Sequence, residues 1–432
     1  MKNSFRVISV MAILAISISA LFAEDAQRSY FISANGNDSN NGRSAEASFK
    51  TLQKALDMSA KGSIKRITIL GSLDGVSEGS VNQYGGVPGG AAFVIQNMGD
   101  AEIVITGKSA EEKAILTYSG SYPIVLIKKS KIRFENINIT GNKESYGLKI
   151  IDSSYITFGS GVVISENGSI EQEYSGGIRI ENGTITMLSD AIIKNNANSS
   201  NGSGIAIEAG NLIMNDDSII SGNQSLKNGG GVYLTSSGGG YLQESSIVMN
   251  GKSRITGNTA KTGGGIYAEG QTTFIILNDD SSVTNNKATE NGGGIYISTE
   301  MNSRNVKQEN HGIFINGNAK ISENYAVTGG GLCLIFNSVL PFTMSSGLIT
   351  QNKAEYGAGV YFIGKKQTPR GASKSVISGD TFVFAGGSIT DNEAEFVGGG
   401  VYIAEKSFFN KGKGTFSGNK AGDGEGVDIF QQ

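Results

Sequence analysis

Gly292-Gly293-Gly294-Ile295-Tyr296-Ile297, preceded by Val283-Thr284-Asn285-Asn286, is the stretch that decides the fold. The pair of phrases recurs. Ile255-Thr256-Gly257-Asn258 precedes Gly263 to Tyr267, and Ile389-Thr390-Asp391-Asn392 precedes Gly398 to Ile403. Further copies centre on Asn223, Asn324, Asn352 and Asn419, with degenerate ones on Asn142, Asn167 and Asn196. The asparagines follow one another at about 25 to 29 residues, stretching to about 35 to 40 where a loop is inserted, which marks a repeat architecture.

Within a unit the strands are short and lack any 3.6-residue apolar period. Alternation puts Ile295 and Ile297 on one face and Tyr296 on the other. The equivalents of Ile295 are Val232, Ile266, Leu332, Val360 and Val401, always aliphatic. The equivalents of Tyr296 are Tyr233, Tyr267, Cys333, Tyr361 and Tyr402, and in weaker copies Lys149, Arg179, Ala206 and Asp428. A position that accepts charge faces outward, so the aliphatic position faces inward. Such a unit cannot bury its own core, but stacked units can, each strand pairing with its counterpart about 4.8 Å away. The expected fold is all-β: a right-handed parallel β-helix of about 13 coils, some 60 Å long. Glycine triplets form its tight corners. Asn223, Asn258, Asn286, Asn324, Asn352, Asn392 and Asn419 form an inward ladder that satisfies turn backbone.

Composition agrees: 62 Gly, 4 Pro and no Trp, with turn formers and β-branched residues in place of helix formers. The single cysteine, Cys333, rules out an intramolecular disulfide. At the start, Lys2 and Arg6 precede an uncharged apolar run from Val7 to Phe22, then Ala23 before Glu24 and Asp25. That is the layout of a secretory signal peptide, cleaved after Ala23. The run is short of the roughly 20 residues that span a bilayer, and no second such stretch follows, so no transmembrane segment is expected in the mature chain. Without Lys2 and Arg6 the chain carries 34 basic and 39 acidic residues, a balance that excludes a basic nucleic-acid footprint.

Strand-x-x-Asn followed by Gly-Gly-x-Ile, over roughly residues 135 to 430, resembles the repeats of polymorphic outer membrane proteins, within the pectate-lyase-like β-helix superfamily. The N-terminal segment is similar to the start of many extracellular β-helix proteins: strand Tyr30 to Ser33, the turn Asn35-Gly36-Asn37-Asp38, then Phe49 to Leu56, where Leu52, Ala55 and Leu56 follow helical spacing. The expected organisation is a signal peptide over 1–23, a first strand and capping helix over 24–63, and a β-helix over 64–432. Relatives of this kind usually end in a membrane β-barrel, for which the repeats running to Gln432 leave no room. The last coil is expected to be exposed or covered by a partner.

β-Helices of this superfamily host polysaccharide lyases and hydrolases, so carboxylate pairs bear inspection. Asp216-Asp217 and Asp279-Asp280 align with Gly251-Lys252, Gly317-Asn318 and Gly386-Gly387 in sister coils, which reads as a turn and not as paired acids or calcium ligands. His311, before Gly312, lacks neighbouring acids; Cys333 is expected as a surface or groove thiol without an activating base. Gly251-Lys252-Ser253 has Ser246 where a phosphate loop needs glycine. The acidic tail of Asp423, Glu425 and Asp428 matches a calcium repeat only loosely. No catalytic residue, metal site or cofactor is therefore assigned. One feature remains, the outward ladder of Tyr233, Tyr267, Tyr296, Tyr361 and Tyr402, which could stack on sugars, anchor a protein partner, or simply cover strand surface. The expected function is that of an exported, non-catalytic surface adhesin or architectural scaffold, with glycans or cell-surface proteins as partners. A carbohydrate-active enzyme and a periplasmic scaffold are the alternatives.

Overall fold

The computed structural model describes residues 29–75, 90–238, 241–242, 244–270, 273–299, 312–336, 342–364, 381–404, 407–422, 424 and 426–432. The segment assigned to the signal peptide, His311, Asp423 and Glu425 lie outside these residues. One coil comprises the strands Thr273–Leu277, Ser282–Thr284, Lys287–Asn291 and Ile295–Thr299. Each meets its counterpart in the following coil. Thr273–Leu277 pairs with Gly312–Ile315, Ser282–Thr284 with Lys320–Ser322, and Ile295–Thr299 with Leu332–Phe336, all parallel. The Ser282–Thr284 row is a twelve-stranded sheet, and the two rows on either side of the next corner run together as a twenty-stranded sheet. The short strands after each Asn form sheets of four and three strands. The chain is thus a parallel β-helix.

Its hydrophobic logic is the one read from the repeat. Ile266, Ile295, Leu332, Val360 and Val401 stand in register in one column, and every one is fully buried. Each such side chain contributes on the order of 1.5–3 kcal/mol through burial, gained only because the next coil covers it. Twelve stacked strands at about 4.8 Å give a rod of about 55 Å, close to the expected length.

The helix spans Leu52–Lys61, with Thr51 as N-cap and the Gly62 N–H donating to the Met58 carbonyl at 2.9 Å. Asp38 fixes its start by accepting from the backbone N–H groups of Lys50 and Thr51 (2.9 and 3.0 Å) and from the Thr51 hydroxyl (2.7 Å). Leu52, Ala55 and Leu56 join the core, so the helix covers it as expected. It starts later than Phe49, whose backbone instead bridges Ile32. Ser29–Ile32 pairs with Arg66–Ile69, which makes the strand before the helix the first rung of the β-helix itself.

Each glycine of a triplet has its own steric reason. Gly292 adopts φ 64, and a Cβ there would lie 2.7 Å from the Cβ of Tyr296, because the turn folds back over the base of that ring. On Gly293 a Cβ would come within 2.6 Å of the Gly330 carbonyl oxygen in the next coil. On Gly294 it would meet the Gly331 carbonyl oxygen at 2.6 Å and the Asn324 amide at 2.9 Å.

Candidate binding face

The outward column of the Gly-Gly-Gly strand row runs Val94, Leu126, Lys149, Arg179, Ala206, Tyr233, Tyr267, Tyr296, Cys333, Tyr361, Tyr402 and Phe430, one residue per coil in unbroken register. Phe430, and not Asp428, occupies the last position. The five tyrosines predicted from the sequence do form a ladder. Ring centroids are 5.4 Å apart for Tyr233 and Tyr267, 5.0 Å for Tyr267 and Tyr296, 4.7 Å for Tyr361 and Tyr402, and 5.2 Å for Tyr402 and Phe430, all stacked.

Although it points away from the core, this column is not a free surface. Tyr267 and Tyr402 are 8% exposed, and the other three tyrosines are half-buried. The glycine turn abuts the base of the ring, as at Gly263 and Tyr267 or Gly398 and Tyr402, and these two rings, the most buried, have an aromatic ring stacked on each face. The hydroxyls are engaged too: Tyr233 and Tyr267 donate to the two oxygens of Glu269, the latter at 3.0 Å, and Tyr402 donates to Gln432 at 2.6 Å. Burial, and next the Glu269 carboxylate, push the Tyr233 and Tyr267 hydroxyls far above the ordinary tyrosine range. Cys333 corrects the expectation of a surface thiol: flanked by Tyr296 and Tyr361 in register, it is fully buried, and burial alone pushes its thiol up. A protonated, inaccessible thiol is no nucleophile.

Toward the N-terminus the same column becomes ionic. Arg179 donates to Glu181 at 2.7 Å and to both oxygens of Glu208 at 2.8 Å, while Lys149 pairs with Glu181 at 3.2 Å. Burial opposes ionisation of Glu181, but the Arg179 hydrogen bond and the Lys149 and Arg179 charges outweigh it and hold the carboxyl below its usual range. Burial likewise opposes the Arg179 cation, and Tyr146 with the two glutamates more than compensates. A carboxylate held ionised and a guanidinium held protonated exchange no protons near neutrality, so Arg179 and Glu181 are a charge-matched pair and not an acid–base pair.

On the inner side the asparagine ladder is continuous. Asn286 accepts at Oδ1 from the backbone N–H and side-chain amide of Asn258 (both 3.0 Å), and its own amide donates to Asn324 Oδ1 at 3.1 Å and to the Ile255 carbonyl at 3.0 Å. The same bonds link Asn167, Asn196, Asn223, Asn324, Asn352, Asn392 and Asn419. Asn142 opens the ladder by donating its backbone N–H to Asn167. Every amide points the same way, so the bonds polarise one another along the rod.

A second, outer ladder escaped the sequence reading. Asn250 donates to Asn215 at 2.9 Å, Asn278 to Asn250 at 2.9 Å and Asn316 to Asn278 at 3.0 Å, running in the opposite sense. Its signal was the Asn that begins each turn phrase, overshadowed by the acids beside it. Those acids serve the turns: Asp216 accepts from the Ser189 N–H and Asp279 from the Gly251 N–H, both at 2.9 Å.

Among the described residues, no group of three or more His, Cys, Asp or Glu is placed to hold a metal, and no helix is long and apolar enough to cross a membrane. No protein-family model matches the chain, and no curated protein resembles it significantly. Fold and site geometry therefore carry the functional reading.

Proposed function

We propose that this protein is an exported, non-catalytic β-helix that works as a rigid architectural element or adhesin at the cell surface. The observation that supports this reading is the one-way chain of buried amides from Asn167 to Asn419, opened by the Asn142 N–H, which ties each coil over that span to the next. Such a chain makes bending or local opening costly, because each amide removed strands buried partners in two coils. The signal-peptide-like start supports export, and the resemblance to polymorphic outer membrane protein repeats supports a surface setting with glycans or cell-surface proteins as partners. A periplasmic scaffold is the same rod on the other side of the outer membrane.

The ionic cluster of Lys149, Arg179, Glu181 and Glu208 is the one observation that favours a carbohydrate-active enzyme, and the pairing that holds Arg179 protonated and Glu181 ionised weighs against that reading. Protease shaving of intact cells, read by mass spectrometry, tests the surface setting. Peptides of this chain released without permeabilisation support it, whereas release only after outer-membrane disruption leaves the periplasmic scaffold.

A further inference from the structure

In the early coils one strand carries the chain around the corner between the two rows of the twenty-stranded sheet, as in Tyr146–Phe158 and Gly176–Met187. The bend is made by residues in the left-handed region, Lys129, Asp152, Ser153, Asn182 and Ala209 among them. Just past it, Lys131, Tyr155, Thr184, Asn211 and Ser246 stand in register on successive coils, a straight track of about 19 Å. Two adjoining hollows follow this track, of about 310 Å³ and 130 Å³, and share Ser153 and Tyr155.

We infer that this trough is a binding site for a linear, uncharged polysaccharide, with the Tyr155 ring as its stacking platform. Tyr155 is 54% exposed, unlike the ladder tyrosines, and Lys131 Nζ sits over its ring, 5.9 Å from the centroid, as a cation beside the platform. A sugar ring presents an apolar C–H face to such a ring and hydroxyls at its edges. Thr184 and Asn211 line the smaller hollow and supply partners for those hydroxyls, held in place by the buried Ser246, which donates to Asn211 at 2.7 Å, and by the Asn211 amide, which approaches the Thr184 hydroxyl at 3.5 Å.

Other occupants fit less well. Asp100, Asp152 and Glu244 offset Lys129 and Lys131 around the trough, so there is no single-sign field for a polyanion. The track strands are paired on both sides, which leaves no edge for a peptide to extend, and beyond Tyr155 and Ala209 the lining is polar or glycine, which gives no apolar anchor pocket. The same corner is also where later coils carry their insertions: residues 300–311 fall between Ile295–Thr299 and Gly312–Ile315, and residues 365–380 between Val360–Gly364 and Thr381–Phe384. In repeat proteins the side that receives insertions is often the binding side.

The inference rests on the non-catalytic adhesin reading, and native gel electrophoresis in matrices containing xylan, glucomannan, hydroxyethylcellulose or polygalacturonate tests the two separately. Retardation by at least one neutral polymer is expected, weakened at least tenfold by Tyr155→Ala and unchanged by Tyr267→Phe, with the melting temperature of Tyr155→Ala kept. If that variant melts early, Tyr155→Leu, which keeps bulk without the aromatic face, is read in its place. No retardation in any neutral matrix, or equal retardation of a folded Tyr155 variant, overturns the inference. So does retardation by polygalacturonate alone. Tyr155-dependent retardation accompanied by shortening of the polymer upholds the site and overturns the non-catalytic reading.

Discussion

Asn419 ends the buried amide ladder by donating its side-chain N–H to Asp428 Oδ1 at 2.9 Å. Asp428 stands where earlier coils have the third glycine of the triplet, since its carbonyl accepts from the Val401 N–H as the Gly400 carbonyl accepts from Val360. That glycine is required where a following coil brings a carbonyl and an asparagine against it, as at Gly294. Asp428 carries a side chain at this position, and its carboxylate takes the place that the next asparagine's oxygen has in earlier coils as acceptor. Asp428→Ala is expected to cost about 0.5–1.5 kcal/mol, the modest worth of an exposed charge-assisted bond, and Asp428→Asn to recover most of it. Urea denaturation midpoints of the two variants decide the matter; equal losses would show that the carboxylate is not the acceptor that counts.

Removing an amide from the middle of the ladder is costlier. Asn286→Leu leaves the Asn258 N–H groups without their acceptor, removes the side-chain donor of the Ile255 carbonyl, and leaves Asn324 Oδ1 only the backbone N–H of residue 286. A loss of about 1–3 kcal/mol is expected. An unchanged denaturation midpoint would mean that the inward ladder carries no stability.

Gly294→Ala tests close approach without any question of left-handed strain, because Gly294 is not among the positive-φ glycines. The added methyl would lie 2.6 Å from the Gly331 carbonyl oxygen and 2.9 Å from the Asn324 amide, neither of which can retreat without moving a coil. A loss of about 1–3 kcal/mol, or failure to fold, is expected, whereas an alanine accepted within a few tenths of a kcal/mol would contradict the packing.

What the sequence displayed were features with a period. The inward aliphatic column and the asparagine ladder repeat once per coil and are explained by the coil itself, so Ile295 and Asn286 were legible from their copies alone. The exposure of the tyrosines was not, because it depends on Gly292 folding back over Tyr296 and on the neighbours from two other coils, Tyr267 on one side and Cys333 on the other. Asp428 was misaligned with the tyrosines because the last repeat keeps only the first of the three glycines. Gly426 abuts Phe430 there as Gly292 abuts Tyr296, while Val427 and Asp428 stand in place of the other two. The trough beside Tyr155 lies in the degenerate coils, where residues on one track differ from coil to coil and no repetition announces them.

High pH should loosen the tyrosine column. Burial, and then Tyr402, push the Tyr361 hydroxyl from the ordinary tyrosine value of 10 up to about 12. The folded state thus favours the protonated phenol, and the stability this brings is complete below the ordinary tyrosine pKa, about 10, and lost as pH rises toward about 12. Melting temperature is expected to fall across that window, and less steeply in Tyr361→Phe. Parallel curves for the two proteins would remove the ladder as the cause.

Tyr267→Ser separates the two roles open to the ladder. The wild-type ring stacks on Tyr233 at 5.4 Å and on Tyr296 at 5.0 Å, and its hydroxyl donates to Glu269. At 8% exposure it offers a ligand almost no surface, so the substitution should act on the fold. Loss of a largely buried aromatic together with two stacking partners is expected to cost about 3 kcal/mol, with no effect on glycan retention once the protein is assayed well below its melting point. Glu269 would also lose one of its two tyrosine donors, which Tyr267→Phe isolates at about 1 kcal/mol. Denaturation midpoints of the Ser and Phe variants, measured beside their binding to the same polysaccharide matrices, distinguish the two roles. Near-native stability with weakened binding in Tyr267→Ser would make the ladder, and not the corner trough, the surface by which this rod recognises its partner.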